Sequence, residues 1–583
     1  MFLRNYIFRY FLFVSILMVT VVSGSMPVDA QTPTRPRQVN IPHFDNNVVW
    51  AQSALFWFGK NEVDLPGKNY TDVRVAYTDD ALHIRVTVVD YFLWYDPNAT
   101  ATTDLTQYDA VKVFLDTAPG ASAPRTHSYQ FLVGARHWQD MDNYIRQARG
   151  NNSSWDTGWQ PSTPWTGASN MSWGCNPGPN NNNCSVDFGW TGFFVIPWQT
   201  LGLSGPPAEG TIWKLGVKLF DRDDQPPAGS VPPETWPETL TDTNPATWGN
   251  LHFGYSHYTP PAVSPQGTTV IRAASPTDNT VEDAWMGGGG WCNSGQEGDR
   301  MGSETNHGGD AELYVGNETA ETNFPCFNKS FLRFALDAVP PGKEILSATL
   351  TLHHWGNAEE TLARSSYIHL YTITDPWAEM GITWNNAPLA QENLSVTKVD
   401  PLRSFPGWPG IANDWDATQA VAEAYAAGEP LSIALYSSDS AEHSSKYLTA
   451  SEVEDWDAEG RPTLTIVWGD TTPVEISPVA TAIEPGGLAA FTVQIQENAD
   501  FTSTVNVHAA ASAPGVNVTL STDTVTPPAE VTVTVTDTHG SGTLQPGQWY
   551  TITVTGDSGG TAHSASAKLL VGGSRVYLPL ILR

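Results

Sequence analysis

Short runs in which every second residue is apolar recur along this chain, and that period of two commits it to β-strands. Val73, Val75 and Tyr77 alternate with Arg74 and Ala76. After Thr78-Asp79-Asp80 the pattern resumes with Leu82, Ile84, Val86 and Val88. The pair predicts a hairpin with one buried and one wetter face. Further on, Leu346, Ala348, Leu350 and Leu352 alternate with Ser347, Thr349 and Thr351, and Ile368 and Leu370 repeat the pattern. Val/Thr-rich strands are expected at Phe491–Gln496, Val531–Val535 and Tyr550–Thr555. One helix interrupts them, with Asp416 as N-cap, Ala417 to Ala427 as body and Gly428 as terminator.

Breaks in this pattern divide the chain. Arg4, Arg9 and the apolar run Phe11 to Val22 read as a signal peptide over residues 1–30, cleaved after Ala30. Residues 31–40 form a Pro/Thr/Arg linker. A first β-sandwich is expected over residues 41–260, a second over 266–469, an immunoglobulin-like sandwich over 472–572, and a short apolar tail over 573–583. The expected fold class is therefore all-β, with three consecutive β-sandwich (jelly-roll/immunoglobulin-like) domains after a signal peptide. Asn143 to Gly189, rich in Asn, Gly, Ser and Trp and without periodicity, reads as a long surface loop. No later segment is long and apolar enough to span a membrane.

Composition narrows the partner. A net charge of −32 repels a phosphate backbone, so nucleic acid is excluded as a partner. Excess carboxylates suit calcium or neutral sugars. The four cysteines, Cys175, Cys184, Cys292 and Cys326, read as disulfides in a secreted chain. Proximity favours Cys175–Cys184 and Cys292–Cys326 among three possible connectivities. The 23 tryptophans exceed what the sandwich cores need, and rings outside a core are candidate platforms for the C–H faces of a sugar.

Residues 71–90, 108–116, 190–203, 216–224 and 248–253 occur in an order that resembles the carbohydrate-binding module family 9-like sandwiches. The resemblance implies a sugar held between aromatic side chains at one end of the sandwich, often with calcium nearby. Transferred onto this chain, it points to Tyr108 and Trp236, with Trp94, Tyr95 and Trp248 as further candidates. The second region resembles the DNRLRE domain, carbohydrate-binding module family 96, on residues 331–352, 375–388, 415–421 and 461–468. That resemblance implies a glycan-binding or structural β module, in which Trp377, Glu379, Thr383 and Trp384 look like fold determinants.

Asp221, Asp223 and Asp224 follow a strand, and their hard oxygens form either a calcium loop or a solvated acidic one. Gly556-Asp557-Ser558-Gly559-Gly560 matches the nucleophile motif of chymotrypsin-like proteases, but it sits in a small sandwich without a suitable histidine. It reads as a turn, and no catalytic residue is assigned. The expected function is a secreted or cell-surface, non-catalytic protein that binds extracellular polysaccharide, with calcium as the expected cofactor. The alternative is a structural or adhesive envelope protein with no discrete sugar site.

Overall fold

The computed structural model describes residues 35–59, 70–90, 93–172, 189–222, 232–256, 258–261, 263, 265–288, 304–317, 327–437, 443–470, 473–497, 501, 503–539, 547–559 and 561–572. The signal peptide, the tail, Asp223, Asp224, Trp173 and all four cysteines with their expected pairings lie outside the described residues. Apart from the helix Thr418–Ala427 and short 3-10 turns, every described element is a β-strand. The fold is all-β.

The opening region is a two-sheet sandwich. One sheet runs Thr166–Ser172, Gly189–Pro197, Ala81–Val88, Thr71–Thr78 and Ala54–Phe58. The other runs Gln38–Ile41, Gly249–Phe253, Ile212–Phe220, Ala110–Asp116, Ser128–Gly134, Ile145–Asn151 and Ser154–Asp156. Its first strand overturns the end of the linker expected over residues 31–40, since Gln38, Val39 and Asn40 are buried and pair with Asn250, Leu251 and His252. Val73, Val75, Ile84 and Val86 meet Val111, Val113, Phe131 and Val217 between the sheets. The stretch after Asn143 is not a plain surface loop, because three strands lie within it. Its periodicity is silent because the inward positions of Thr166–Ser172 include Gly167 and Ser169. A Cβ on Gly167 would stand 2.6 Å from Ile145 and 3.0 Å from the Trp165 ring, so that ring occupies the space a larger side chain would need.

The second region is also a sandwich. Its first sheet runs Pro265–Ile271, Thr463–Asp470, Lys343–Asn357 and Ile411–Asp416, with Lys446–Thr449 and Glu312–Asn317 extending one end. Its second runs Val281–Gly288, Phe327–Phe334, Leu431–Ser437, Ser366–Thr372 and Glu392–Val399. The helix starts where Asp416 accepts the Thr418 N–H at 2.9 Å, and it ends at Gly428, whose φ of +69° closes the last turn. The third region encloses a separate core between the sheet of Leu488–Ile495 and Ala529–Asp537 and that of Gln548–Ser558 and Thr561–Val571.

The hairpin of the first region does not have a wet face. Asp72 and Arg74, on the side away from its own core, are 1% and 0% exposed. The second sheet of the second region lies against them. Leu55, Trp57 and Tyr70 join Met286, Phe331, Tyr371, Trp384 and Tyr436 in one apolar cluster. The seam continues through the backbone: Gln38 pairs in parallel with Glu392, and Asn40 and Asn393 exchange hydrogen bonds at 2.8 and 2.9 Å. From Arg37 onward the chain forms one compact unit.

Candidate functional site

Four of the five aromatics expected to hold sugar are buried in this structure. Trp236 is 1% exposed, stacks on Phe56 at 4.0 Å and lies over Gly249, where a Cβ would meet its ring at 2.6 Å. Trp248 is 1% exposed, lies between Phe114 and the parallel Trp155 ring, and donates its indole N–H to Thr241 O at 2.8 Å. Trp94 and Tyr95 are buried as well. Tyr108 alone keeps accessible surface, so the five do not form a cleft. The physical reason is closure: a sandwich must cap its open ends, and strand-end rings do this by packing inward. Trp155, Trp159 and Trp165 act likewise, against Trp248, Tyr129 and Phe131 respectively.

Asp221 does converge with other carboxylates, though not with its sequence neighbours. It meets Asp90 and Asp109, all three buried, with ligand oxygens within 4.8 Å of one another. Asp90 follows the strand Ala81–Val88, Asp109 precedes Ala110–Asp116, and Asp221 follows Ile212–Phe220, so three strand ends meet. Asp109 accepts backbone N–H groups from Trp94 and from Arg222, the latter at 2.8 Å, which orients it. Three buried carboxylates this close repel one another strongly at low dielectric. The donor set is all hard oxygen, and that fits calcium rather than a soft metal.

A cluster of exposed and half-buried aromatic rings lies on the second region, whereas the exposed Trp138 of the first and Trp549 of the third are not among its ring contacts. Six ring contacts run in sequence through Trp408. Trp456 meets Trp408 at 5.0 Å and Phe405 meets it at 5.2 Å. Trp408 meets Trp355 at 5.7 Å, and Trp355 meets Tyr447 at 5.5 Å. Tyr447 then meets Tyr314 at 4.6 Å, and Tyr314 meets Trp285 at 4.5 Å. Trp456 is 63% exposed and Trp408 47%.

Local sequence explains the placement. Tyr314 and Tyr447 are directly opposed across Glu312–Asn317 and Lys446–Thr449, with Leu313 and Leu448 turned into the core. Trp355 is the extra residue of a bulge between His354 and Gly356, which aims its ring outward. Gly356 pairs with Tyr447, and its missing side chain makes room for that ring. The Pro406-Gly407-Trp408-Pro409-Gly410 loop needs glycine at both Gly407 and Gly410, whose φ values are +89° and +97°.

Carboxylates flank this surface. Asp310 accepts from the indole N–H of Trp285 at 3.0 Å and faces His307 at 2.9 Å, while His307 stacks on Trp285 at 3.7 Å. Glu454, Asp455 and Glu459 are exposed beside Trp456. Beneath, on the same strand face as Trp285, Asp283 is fully buried, and burial first, then Glu452, raise its carboxyl well above the usual range. Glu379 accepts the Asp283 N–H at 2.8 Å and is pushed up to about 7, chiefly by burial. The arrangement offers apolar ring faces with hydroxyl acceptors at their rim, which is what a pyranose requires. Trp408 and Trp456 carry no periodic signal in the sequence because they belong to no strand. The available signal was each tryptophan isolated among Pro, Gly, Asp and Glu, without apolar neighbours to hide it.

The protease-like motif ends a hairpin. Ser558 is buried, its Oγ is 3.3 Å from that of Ser503, and Gly559 turns the chain at a φ of +64°. His563 pairs with Gly556 across the hairpin, with its ring edge-on to Phe501. Among the described residues no helix is long and apolar enough to cross a membrane.

Residues 298–466 match the model of carbohydrate-binding module family 96, which bears out the resemblance read from the second region. No curated protein matches the chain. Among solved structures it is similar to a family 9 carbohydrate-binding module from Caldicellulosiruptor kristjanssonii in complex with cellotriose. That likeness is 15% identical with a TM-score of 0.25, over 40% of this chain and 100% of the other. It is also similar to domains 4 and 5 of the S-layer protein SbsC, at 18% identity and a TM-score of 0.14, over 19% of this chain and 58% of that one. A third similarity is to the β-glucuronidase of Parabacteroides merdae, at 8% identity and a TM-score of 0.15, over 52% and 35% of the two chains.

Proposed function

We propose that this chain is a secreted, non-catalytic carbohydrate-binding protein that holds polysaccharide on the aromatic surface of its second region. The observation that carries the reading is the continuous run of rings from Trp456 to Trp285, most open to solvent at Trp456, Phe405 and Trp408 and almost wholly inside the residues that match family 96. Secretion rests on the leader-like first thirty residues. Calcium at Asp90, Asp109 and Asp221 would neutralise the three strand ends and stabilise the first region. It has no part in contact with the glycan.

The test is co-sedimentation of the full chain with insoluble polysaccharides, comparing wild type with Trp408→Ala/Trp456→Ala. Loss of sedimentation in the double variant, with the melting temperature unchanged, supports the reading. Equal sedimentation of both proteins, or of neither, defeats it.

A structural envelope role is the second reading. It is favoured by the shared core of the first two regions, which makes a rigid spacer. It takes over if the wild-type chain retains no polysaccharide at all.

A further inference from the structure

Beside the helix Thr418–Ala427, on a different part of the second region, two cavities of about 620 and 770 Å³ open next to each other. Arg333, Glu429 and Pro430 line both, so they form one continuous cleft. Each volume falls within the range of ligand pockets, roughly 300–1,000 Å³. We infer that this cleft binds a single chain of a neutral oligosaccharide, at a site separate from the aromatic surface.

The cleft has the two kinds of wall such a ligand needs. Trp377 supplies the apolar one. Its indole N–H is held by Ser432 Oγ at 2.9 Å, and Phe331 supports it edge-on at 5.8 Å. Arg333 fixes it further, with its guanidinium carbon 4.4 Å from the ring centroid. Carboxylates supply the polar wall: Glu282 and Asp337 in the larger cavity, Asp375 and Glu423 in the smaller, and Glu429 in both.

Charge selects the class of ligand. Arg333 is the one cation among the lining residues, and its two terminal nitrogens are engaged by Glu282 and by Trp377 O. Asp375 is oriented by Arg37 at 2.8 Å. The C-terminal end of the helix, at Ala427, lines the smaller cavity and adds negative potential. A uronate or sulfated chain is repelled, whereas hydroxyl groups donate to carboxylates at little cost. Cationic sugars offer the same ring faces to Leu336, Val339 and Ile373 but must strip water from an ammonium group on every residue, a cost that neutral hydroxyl groups avoid.

The test is calorimetric titration of the full chain with cellohexaose, xylohexaose, mannohexaose and laminarihexaose. Hexagalacturonate and fully deacetylated chitohexaose serve as the charged arms. At least one neutral hexaose should bind. Its affinity should fall about tenfold in Trp377→Ala, the change one stacked ring carries. Glu429→Ala, at an exposed position, should weaken it about fivefold and keep the inference testable if the tryptophan variant fails to fold. Trp408→Ala/Trp456→Ala should leave hexaose affinity within about twofold while losing insoluble polymer, so failure of the aromatic surface and failure of the cleft give different patterns. The inference is overturned if no neutral hexaose binds, if only a charged one does, or if binding survives Glu429→Ala and vanishes with Trp408→Ala/Trp456→Ala.

Discussion

Lys329 of the second region holds its ammonium nitrogen 4.4 Å from the ring centroid of Trp57 of the first. Trp384 at 3.9 Å, Tyr70 at 4.8 Å and Tyr436 at 5.5 Å complete a cage around it. Burial lowers the Lys329 pKa well below the usual amine range, and Asp72 beyond the cage works against that shift. Tyr436 donates to Asp72 at 3.1 Å, and Arg74 lies 3.6 Å from the same carboxylate. The contact between the regions is therefore a dry interior with a few enclosed charges, not two wet surfaces touching.

Such a seam should unfold as a unit. Trp57→Ala removes a fully buried indole from it and should cost about 3–5 kcal/mol. Scanning calorimetry of wild type should show the first two regions melting together, with the third free to melt separately. The variant should split the shared transition into two. A wild type in which the first two regions already melt apart would contradict the single interior.

Exposed and buried tryptophans should answer to different measurements. Trp408→Ala and Trp456→Ala should each weaken polysaccharide binding by about 1–3 kcal/mol. Both rings are exposed, so stability should move by no more than about 0.5 kcal/mol. Trp236→Ala should do the reverse, lowering stability by about 3–5 kcal/mol with affinity retained in the folded fraction. Parallel melts and titrations of the three variants check this.

Removing divalent cations should loosen the first region. If Asp90, Asp109 and Asp221 hold calcium, saturation near a hundredfold over Kd adds about 2.7 kcal/mol, and chelator removes it. Asp109→Asn should abolish the response to calcium. The measurement is the melting temperature with and without chelator, and no shift in wild type would remove the site.

Stability should fall toward acid through two histidines. Burial, with Arg74 adding to it, holds His369 at about 3, and burial with Lys446 holds His354 at about 4. Unfolded, both imidazoles titrate near 6.5, so the unfolded chain binds more protons and stability is lost as pH falls from 6.5 toward those values. Glu379 acts in the opposite sense. Raised from 4.5 to about 7, it stabilises the fold while protonated, and that contribution fades as pH rises through 7. Glu379→Gln keeps an acceptor for the Asp283 N–H. Melting curves across pH should show it flattening the alkaline decline and leaving the acid one unchanged.

The strands were legible because a buried sheet face imposes period two on the residues that build it. Thr166–Ser172 was not, since its inward positions are filled by a neighbour's ring over Gly167. Nor was the burial of Asp72 and Arg74, because their face of the hairpin is covered by a sheet formed far along the chain. Asp221 was legible as an acid at a strand end, but its companions Asp90 and Asp109 arrive from other strands. Whether a tryptophan is a peg or a platform depends on what lies opposite it. Trp236 has Phe56 there, whereas Trp456 is largely open to water.

Arg37 grips Glu238 on one side of the seam, and Asp375 with the carbonyls of Leu389 and Ala390 on the other. Together with the shared interior around Trp57, this makes the peptide linker between the first two regions incidental to their association. A protease that severed the chain near Pro260–Pro261 would yield two fragments that migrate as one particle. A gene cut at the same place would yield a first region with a bare aromatic face, and that piece would aggregate.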